Sequence, residues 1–434
     1  MTTKLGLVAS TGILLSVVAG CEKPTHASID KWRGTVKGPS KLLATVVDSS
    51  LEADLRGHAL QALVSVDKSK EALDVLKGLS QQDRAAILDN ATDRLWDDCK
   101  LAEELQVPTS KQLAAKDALF LFREAADDPV RDKMDARLLD WLVGYYEERA
   151  KQGLFRGEVI VRTLGVKAAP KLLEATQAIV DASTKSATTI PVAGDELLKS
   201  LAFSGAPEAI SLILKLAEKQ HADPTLQVRA MGALYYAYVQ TTDEPVTNRG
   251  VLIQFMPQLL TMASAPAPYP QPGENVNVAV ALIAAAGKPH CLAPLASLAA
   301  HHEEVRRWQA VQQGLKCAGV DGVAPMAEAL PQNLSYPRAI AEKYFWDKIV
   351  DLGSGAAEPA RALLKSQGWF ARVTGVAVLA RLGSRSDVAA LRAIKGDGRR
   401  ARGYWKEDPA SKRKPEPTVG ALAIEVAGVL ERKE

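Results

Sequence analysis

Aromatic side chains are scarce in this chain: phenylalanine, tryptophan and tyrosine make up 5% of 434 residues, while hydrophobic residues make up 47%. A core with so few rings must be mostly alanine, leucine and valine, and alanine and leucine are strong helix formers. Alternating runs of β-branched residues, the mark of half-exposed sheets, are scarce too. Four cysteines are too few for a disulfide scaffold. The net charge of +3 gives no bulk-charge case for nucleic-acid binding. No H-E-x-x-H or C-x-x-C spacing offers a metal site, and no G-x-S-x-G offers a serine nucleophile. After the first twenty or so residues, no hydrophobic run reaches the roughly 20 residues that span a bilayer. The length would ordinarily mean two or three domains.

The first segment, MTTKLGLVASTGILLSVVAGC, has one lysine and then a mainly apolar stretch from Leu5 to Gly20. It reads as the charged, hydrophobic and small-residue parts of an export signal. Its end, Val18-Ala19-Gly20-Cys21 with Leu15 upstream, resembles the lipobox of bacterial lipoproteins. That resemblance implies cleavage after residue 20 and acylation of Cys21. Two or three acyl chains hold a protein on a membrane, each buried CH₂ contributing about 0.8 kcal/mol. Glu22 stands where an aspartate favours the inner membrane in some bacteria, so the resemblance implies the periplasmic face of the outer membrane. Residues 21–38 are then expected to be a flexible tether.

From residue 39 onward, amphipathic segments repeat. Anchored on Arg56, Arg307 and Arg372, the offset +3 carries Ala59, Ala310 and Gly375. Offset +4 carries Leu60, Val311 and Val376, and +7 carries Leu63, Gly314 and Leu379. These positions trace one helical face, with small residues where a neighbouring helix must come close. A second helix follows at a fixed offset: Val323 and Val388 at +16, Met326 and Leu391 at +19. Further copies centre on Arg131 and Arg229, and a weaker one on Arg162.

The pattern resembles the bacterial HEAT repeat, D-x-x-V-R-x-x-A-x-x-A-L-x-x-L-G, carried best at 54–76, 223–240, 304–330 and 370–395. The resemblance implies an all-α, right-handed α-α superhelix, a solenoid over 39–434 in which each helix pair contacts mainly its neighbours. It also implies that Arg56, Arg131, Arg229, Arg307 and Arg372 are repeat-ladder residues that hold the scaffold. Loops are expected at 185–195, 264–277 and 396–417. The second has Pro266, Pro268, Pro270 and Pro272 at alternate positions, so it is extended, either a long connection or a docking segment.

Candidate chemistry is thin. His290, His301 and His302 tempt a zinc reading, but a helix over 291–300 would hold His290 roughly 15 Å from the pair at about 1.5 Å per residue. No metal or cofactor is expected. Cys291 and Cys317 lie almost equidistant from the turn near His302. They therefore sit level in a helical hairpin, where they either form a disulfide in an oxidising compartment or pack as two buried thiols. Between Arg392 and Lys414 lie nine Lys or Arg against three acids. Arg399, Arg400, Arg402, Tyr404, Trp405, Lys406, Lys412, Arg413 and Lys414 are candidate contacts to anionic head groups or to an acidic protein face; the bland reading is a solvated loop.

The expected function is a lipid-anchored, non-enzymatic HEAT-repeat scaffold that binds another cell-envelope protein, without nucleic acid. The alternatives are an enzyme on a HEAT-like scaffold and a structural envelope component that binds glycan or lipid.

Overall fold

The computed structural model describes residues 23–100, 107–186, 194–218, 224–240, 248–266, 273–404 and 416–433. Among them every regular element is helical, and the only β pairing is an isolated bridge between Arg400 and Thr418. No helix of the described residues is long and apolar enough to cross a membrane. The chain divides into two compact units, residues 1–141 and 142–434. The stretch expected as one array, 39–434, carries this division after residue 141. At the division the regular pattern lapses: between residues 143 and 156 there is one five-residue helix, flanked by Gly144 and Gly153 at φ 99° and 85°.

The first unit contains α1 (His26–Trp32), α2 (Gly38–Val47), α3 (Ala53–Ser65), α4 (Ser69–Lys77), α5 (Gln81–Cys99), α6 (Ser110–Phe122) and α7 (Asp128–Leu142, which runs onto the division). Side-chain caps start several of them. Thr25 with Ser28, and Thr109 with Gln112, form capping boxes, and Ser80 Oγ accepts the Asp83 N–H at 3.1 Å. α3 is the centre of the unit, packing on α2, α5 and α6. The expected tether is corrected here. Residues 26–32 form α1, with Ile29 and Trp32 buried, and α1 packs on α2 and α3. Two apolar residues three apart suffice to dock one short capped helix, too brief a stripe to stand out in the sequence.

The second unit contains α8 (Tyr146–Ala150), α9 (Gly157–Leu164), α10 (Ala169–Ser186), α11 (Asp195–Phe203), α12 (Pro207–Glu218), α13 (Pro224–Tyr235), α14 (Val251–Gln254), α15 (Met256–Ser264) and α16 (Gly273–Ala285). It continues with α17 (Leu292–Ala299), α18 (Glu304–Ala318), α19 (Val323–Ala329), α20 (Arg338–Ala341), α21 (Asp347–Val350), α22 (Ala357–Leu363), α23 (Trp369–Leu382), α24 (Val388–Ala393) and α25 (Val419–Glu431). Two π turns, Tyr236–Gln240 and Glu342–Trp346, extend α13 and α20. One row of neighbours runs α9, α11, α13, α16, α18, the second π turn, α23, α25. A second row holds α15, α17, α19 and α22 in succession, with α10 against α12. Consecutive helices pair across the rows: α12 with α13, α15 with α16, α17 with α18, α22 with α23. Each helix thus buries one face on its pair partner and its flanks on its row neighbours.

The arginine register has a structural meaning. α3, α7, α18 and α23 each begin three residues before their arginine, and α19 and α24 both begin at offset +16. The small +3 residue is where two helices meet. A Cβ on Gly375 would lie 2.6 Å from the Ala360 carbonyl oxygen. The Arg162 copy is out of register. α9 and α18 end on glycines of matching geometry, Gly165 (φ 59°, ψ −136°) and Gly319 (φ 59°, ψ −134°). Arg162 lies three residues before its glycine, whereas Arg307 lies twelve before. The expected loop at 264–277 is also shorter, because α16 starts at Gly273. Of the loop at 185–195, residues 187–193 lie outside the described residues.

Candidate binding groove

The five anchor arginines fall at turns. Arg56, 3% exposed, donates from Nε to the Val46 carbonyl at 2.9 Å and pairs with Asp83 at 2.6 Å. Arg307 donates to the carbonyls of His301 (3.0 Å) and His302 (2.6 Å). Arg131 donates to the carbonyls of Arg123 and Ala126 and pairs with Asp128. Arg372 donates to the Ser366 carbonyl and pairs with Asp397 at 3.0 Å. Arg229 pairs with Asp195 at 3.4 Å. In the first four cases a guanidinium on the first turn of a helix reaches carbonyls just upstream, groups that no intrahelical N–H can satisfy. Arg56 and Arg372 also reach an acid some 25 residues downstream, as a ladder to the next pair would.

The disulfide joins Cys291, at the cap of α17, to Cys317 near the end of α18. Their Cα atoms are 6.7 Å apart. His301 and His302 occupy the turn between these helices, and His301 Nδ1 accepts the Glu303 N–H at 3.1 Å. Among the described residues no three His, Cys, Asp or Glu side chains converge as metal ligands would. Cys21 lies outside the described residues, as do Trp405, Lys406, Lys412, Arg413 and Lys414.

The described part of the basic segment is corrected from a flexible loop to a pinned strut. Ala401 N donates to the Pro417 carbonyl, Tyr336 N to the Arg402 carbonyl, and Gly403 N to Glu416 Oε1, each at 2.9 Å. Gly403, at φ 82°, leaves no room for a side chain, since a Cβ would fall 2.9 Å from the Tyr336 carbonyl carbon. Arg399 is consumed by Asp397 (2.9 Å) and the Gln367 carbonyl, and Arg402 reaches the Asn333 carbonyl at 3.2 Å. Backbone hydrogen bonds to distant segments leave no periodic trace, so composition alone could not reveal them. Arg400 and Arg402 remain exposed.

The strut delivers Tyr404 to a groove of about 200 Å³ between α23 and α25. Trp346, from the second π turn, and Val376 form its apolar wall, and Arg338, Glu342, Arg381 and Glu425 supply charge. The Tyr404 and Trp346 rings lie 5.9 Å apart, and Arg338 sits 5.3 Å over Tyr404. Trp346 Nε1 donates to Thr374 Oγ1 at 3.0 Å, which fixes the ring. Arg338 pairs with Glu342 at 2.8 Å, and Arg381 with Glu342 at 3.5 Å. Tyrosine, tryptophan and arginine around an apolar floor are the side chains that dominate protein interfaces. The sequence carried one signal of this site. Tyr336, Tyr344, Phe345, Trp346, Trp369 and Phe370 crowd into 35 residues of an aromatic-poor chain.

One carboxyl has an unusual environment. Burial pushes Glu147, on α8, up to about 7, and its Oε1 accepts the Leu197 N–H at 3.0 Å in the first turn of α11. Beside it the Tyr146 hydroxyl donates to Ser200 Oγ, and both residues are buried. A carboxyl poised near neutrality suits proton transfer, but this one serves as a helix cap.

No family model matches the chain, and no curated protein matches it.

Proposed function

We propose that the chain is a lipid-anchored envelope protein of a bacterium, a non-enzymatic scaffold that holds an acidic segment of a partner protein at its C-terminal groove. The observation that carries this reading is the groove beside the strut. Apolar surface and two aromatic rings meet there beside Arg338 and Arg381, both paired with Glu342, and the exposed Arg400 and Arg402 precede Tyr404 in the strut. An acidic partner segment complements Arg400 and Arg402, which speeds encounter and selects the partner. The Val-Ala-Gly-Cys sequence supports the anchor, and the paired helix rows support a repeat scaffold of the HEAT kind.

The test is site-specific photocrosslinking in intact cells from position 377, half-buried in the groove, with position 70 as an exposed control. The reading expects a crosslink from 377 alone to a protein with an acidic segment. That protein, purified, should bind at least about tenfold more weakly to an Arg400→Glu/Arg402→Glu variant, and more weakly in high salt. Equal crosslinking from both positions, or binding indifferent to charge reversal, contradicts it.

A further inference from the structure

A second cavity, of about 220 Å³, lies elsewhere in the second unit and is chemically different. Its floor is apolar: Ala281, Ala284 and Ala285 of α16. Arg249, just before α14, and Lys316, on α18, line it; both are exposed, and among the described residues neither forms an ion pair. Among the described residues no carboxylate lines it.

Tyr238, from the π turn after α13, completes the wall. It is 1% exposed, and its buried hydroxyl meets no hydrogen-bond partner among the described residues. Burial raises its pKa well above the ordinary tyrosine range, so it stays neutral. A π turn in place of an α turn occurs frequently at functional sites. Cys317 also lines the cavity, so the disulfide to Cys291 ties its α18 wall to the start of α17.

We infer that this cavity binds a phosphate monoester, its phosphate held by Arg249 and Lys316 and its apolar part on the α16 alanines. Charge selects the class. A carboxylate balances one of the two cations, whereas a phosphate monoester carries about −1.5 to −2 at pH 7 and balances both. Arginine and lysine both suit phosphate oxygens, one as a planar fork and one as a point charge. The monoester can be a soluble molecule or the headgroup of a phosphatidic acid. This inference rests neither on the anchor nor on the C-terminal groove.

The experiment is calorimetric titration of the full chain with phenyl phosphate, and with benzoate as the carboxylate control. One site per chain is expected, with phenyl phosphate at least about tenfold tighter than benzoate, equivalent to about 1.4 kcal/mol. Lys316→Glu, at an exposed position, should weaken phenyl phosphate at least about tenfold. Ala284→Leu should fill the cavity and abolish binding, with helix content unchanged by circular dichroism. Repeating the titration beside phosphatidylcholine nanodiscs, with and without phosphatidic acid, separates the sources. Competition by phosphatidic acid assigns the phosphate to lipid, and its absence assigns it to a soluble ligand. No binding of phenyl phosphate, or binding that survives both substitutions, overturns the site.

Discussion

Arg56 shows how a single charged side chain can be buried usefully. At 3% exposure it binds the Val46 carbonyl and Asp83, so α2, α3 and α5 meet at one guanidinium. Removing one partner of a buried pair leaves the other uncompensated. Arg56→Leu should therefore lower unfolding stability by about 3 kcal/mol, read from urea midpoints, because Asp83 remains partly solvated. Glu147 offers a test of opposite sign. Its carboxyl titrates near 7 when folded and near 4.5 otherwise, so between those values the folded protein binds the extra proton. That contribution is full below the unfolded value and is lost as pH rises through 7. Glu147→Gln keeps an acceptor for the Leu197 N–H and removes the titration. Its stability should change less than the parent's between about pH 5 and 8, and it should be the more stable form at the upper end.

At the scale of elements, α1 is the part most open to acid. His26 Nδ1 and His58 Nδ1 share a hydrogen bond at 2.8 Å, so one nitrogen must be unprotonated. Asp30 and Arg33 face His58 from the α1 side, Asp54 of α3 pairs with His26 at 3.2 Å, and Arg94 of α5 pairs with Asp54 at 2.6 Å. Burial first, then Arg94, Arg33 and His26, hold the His58 pKa below its ordinary value, against the pull of Asp30. The neutral ring is the folded form. Its contribution is present above about 6.5 and is lost as pH falls below that. Hydrogen exchange of α1 amides, corrected for intrinsic rates, should accelerate on acidification, and His58→Gln should remove most of that dependence. The α17–α18 hairpin carries the other element-level prediction. Its disulfide closes a separation of 26 residues, for which chain entropy gives about 3.5 kcal/mol. Reduction, or a Cys291→Ala/Cys317→Ala variant, should lower stability by up to about that amount, measured by denaturant unfolding. These elements also show what was legible in the sequence. The arginine register located the starts of α3, α18 and α23, and the +16 offset located α19 and α24, because close helix packing restricts residue size at fixed spacings. α1 and the strut were hidden. One rests on two apolar residues, and the other mainly on backbone hydrogen bonds that any side chain would allow, apart from Gly403 and Glu416.

For the whole molecule, paired helices in two rows give the second unit a surface made of many similar segments, and the cavities form where the pattern is interrupted. Both sites sit beside a π turn, Tyr236–Gln240 at one and Glu342–Trp346 at the other. The fold class could be read from composition and repeat spacing, but the sites could not. Arg249, Lys316 and Tyr238 are far apart in sequence, and only the packing of α16 and α18 brings them to one space. The proposed role also needs an address, which rests on seven residues, Leu15 to Cys21. Mass spectrometry of the N-terminal peptide from protein isolated out of native membranes tests it most directly. The account predicts a chain beginning at Cys21 that carries acyl chains, and a peptide that starts upstream of Cys21 or an unmodified cysteine would contradict it.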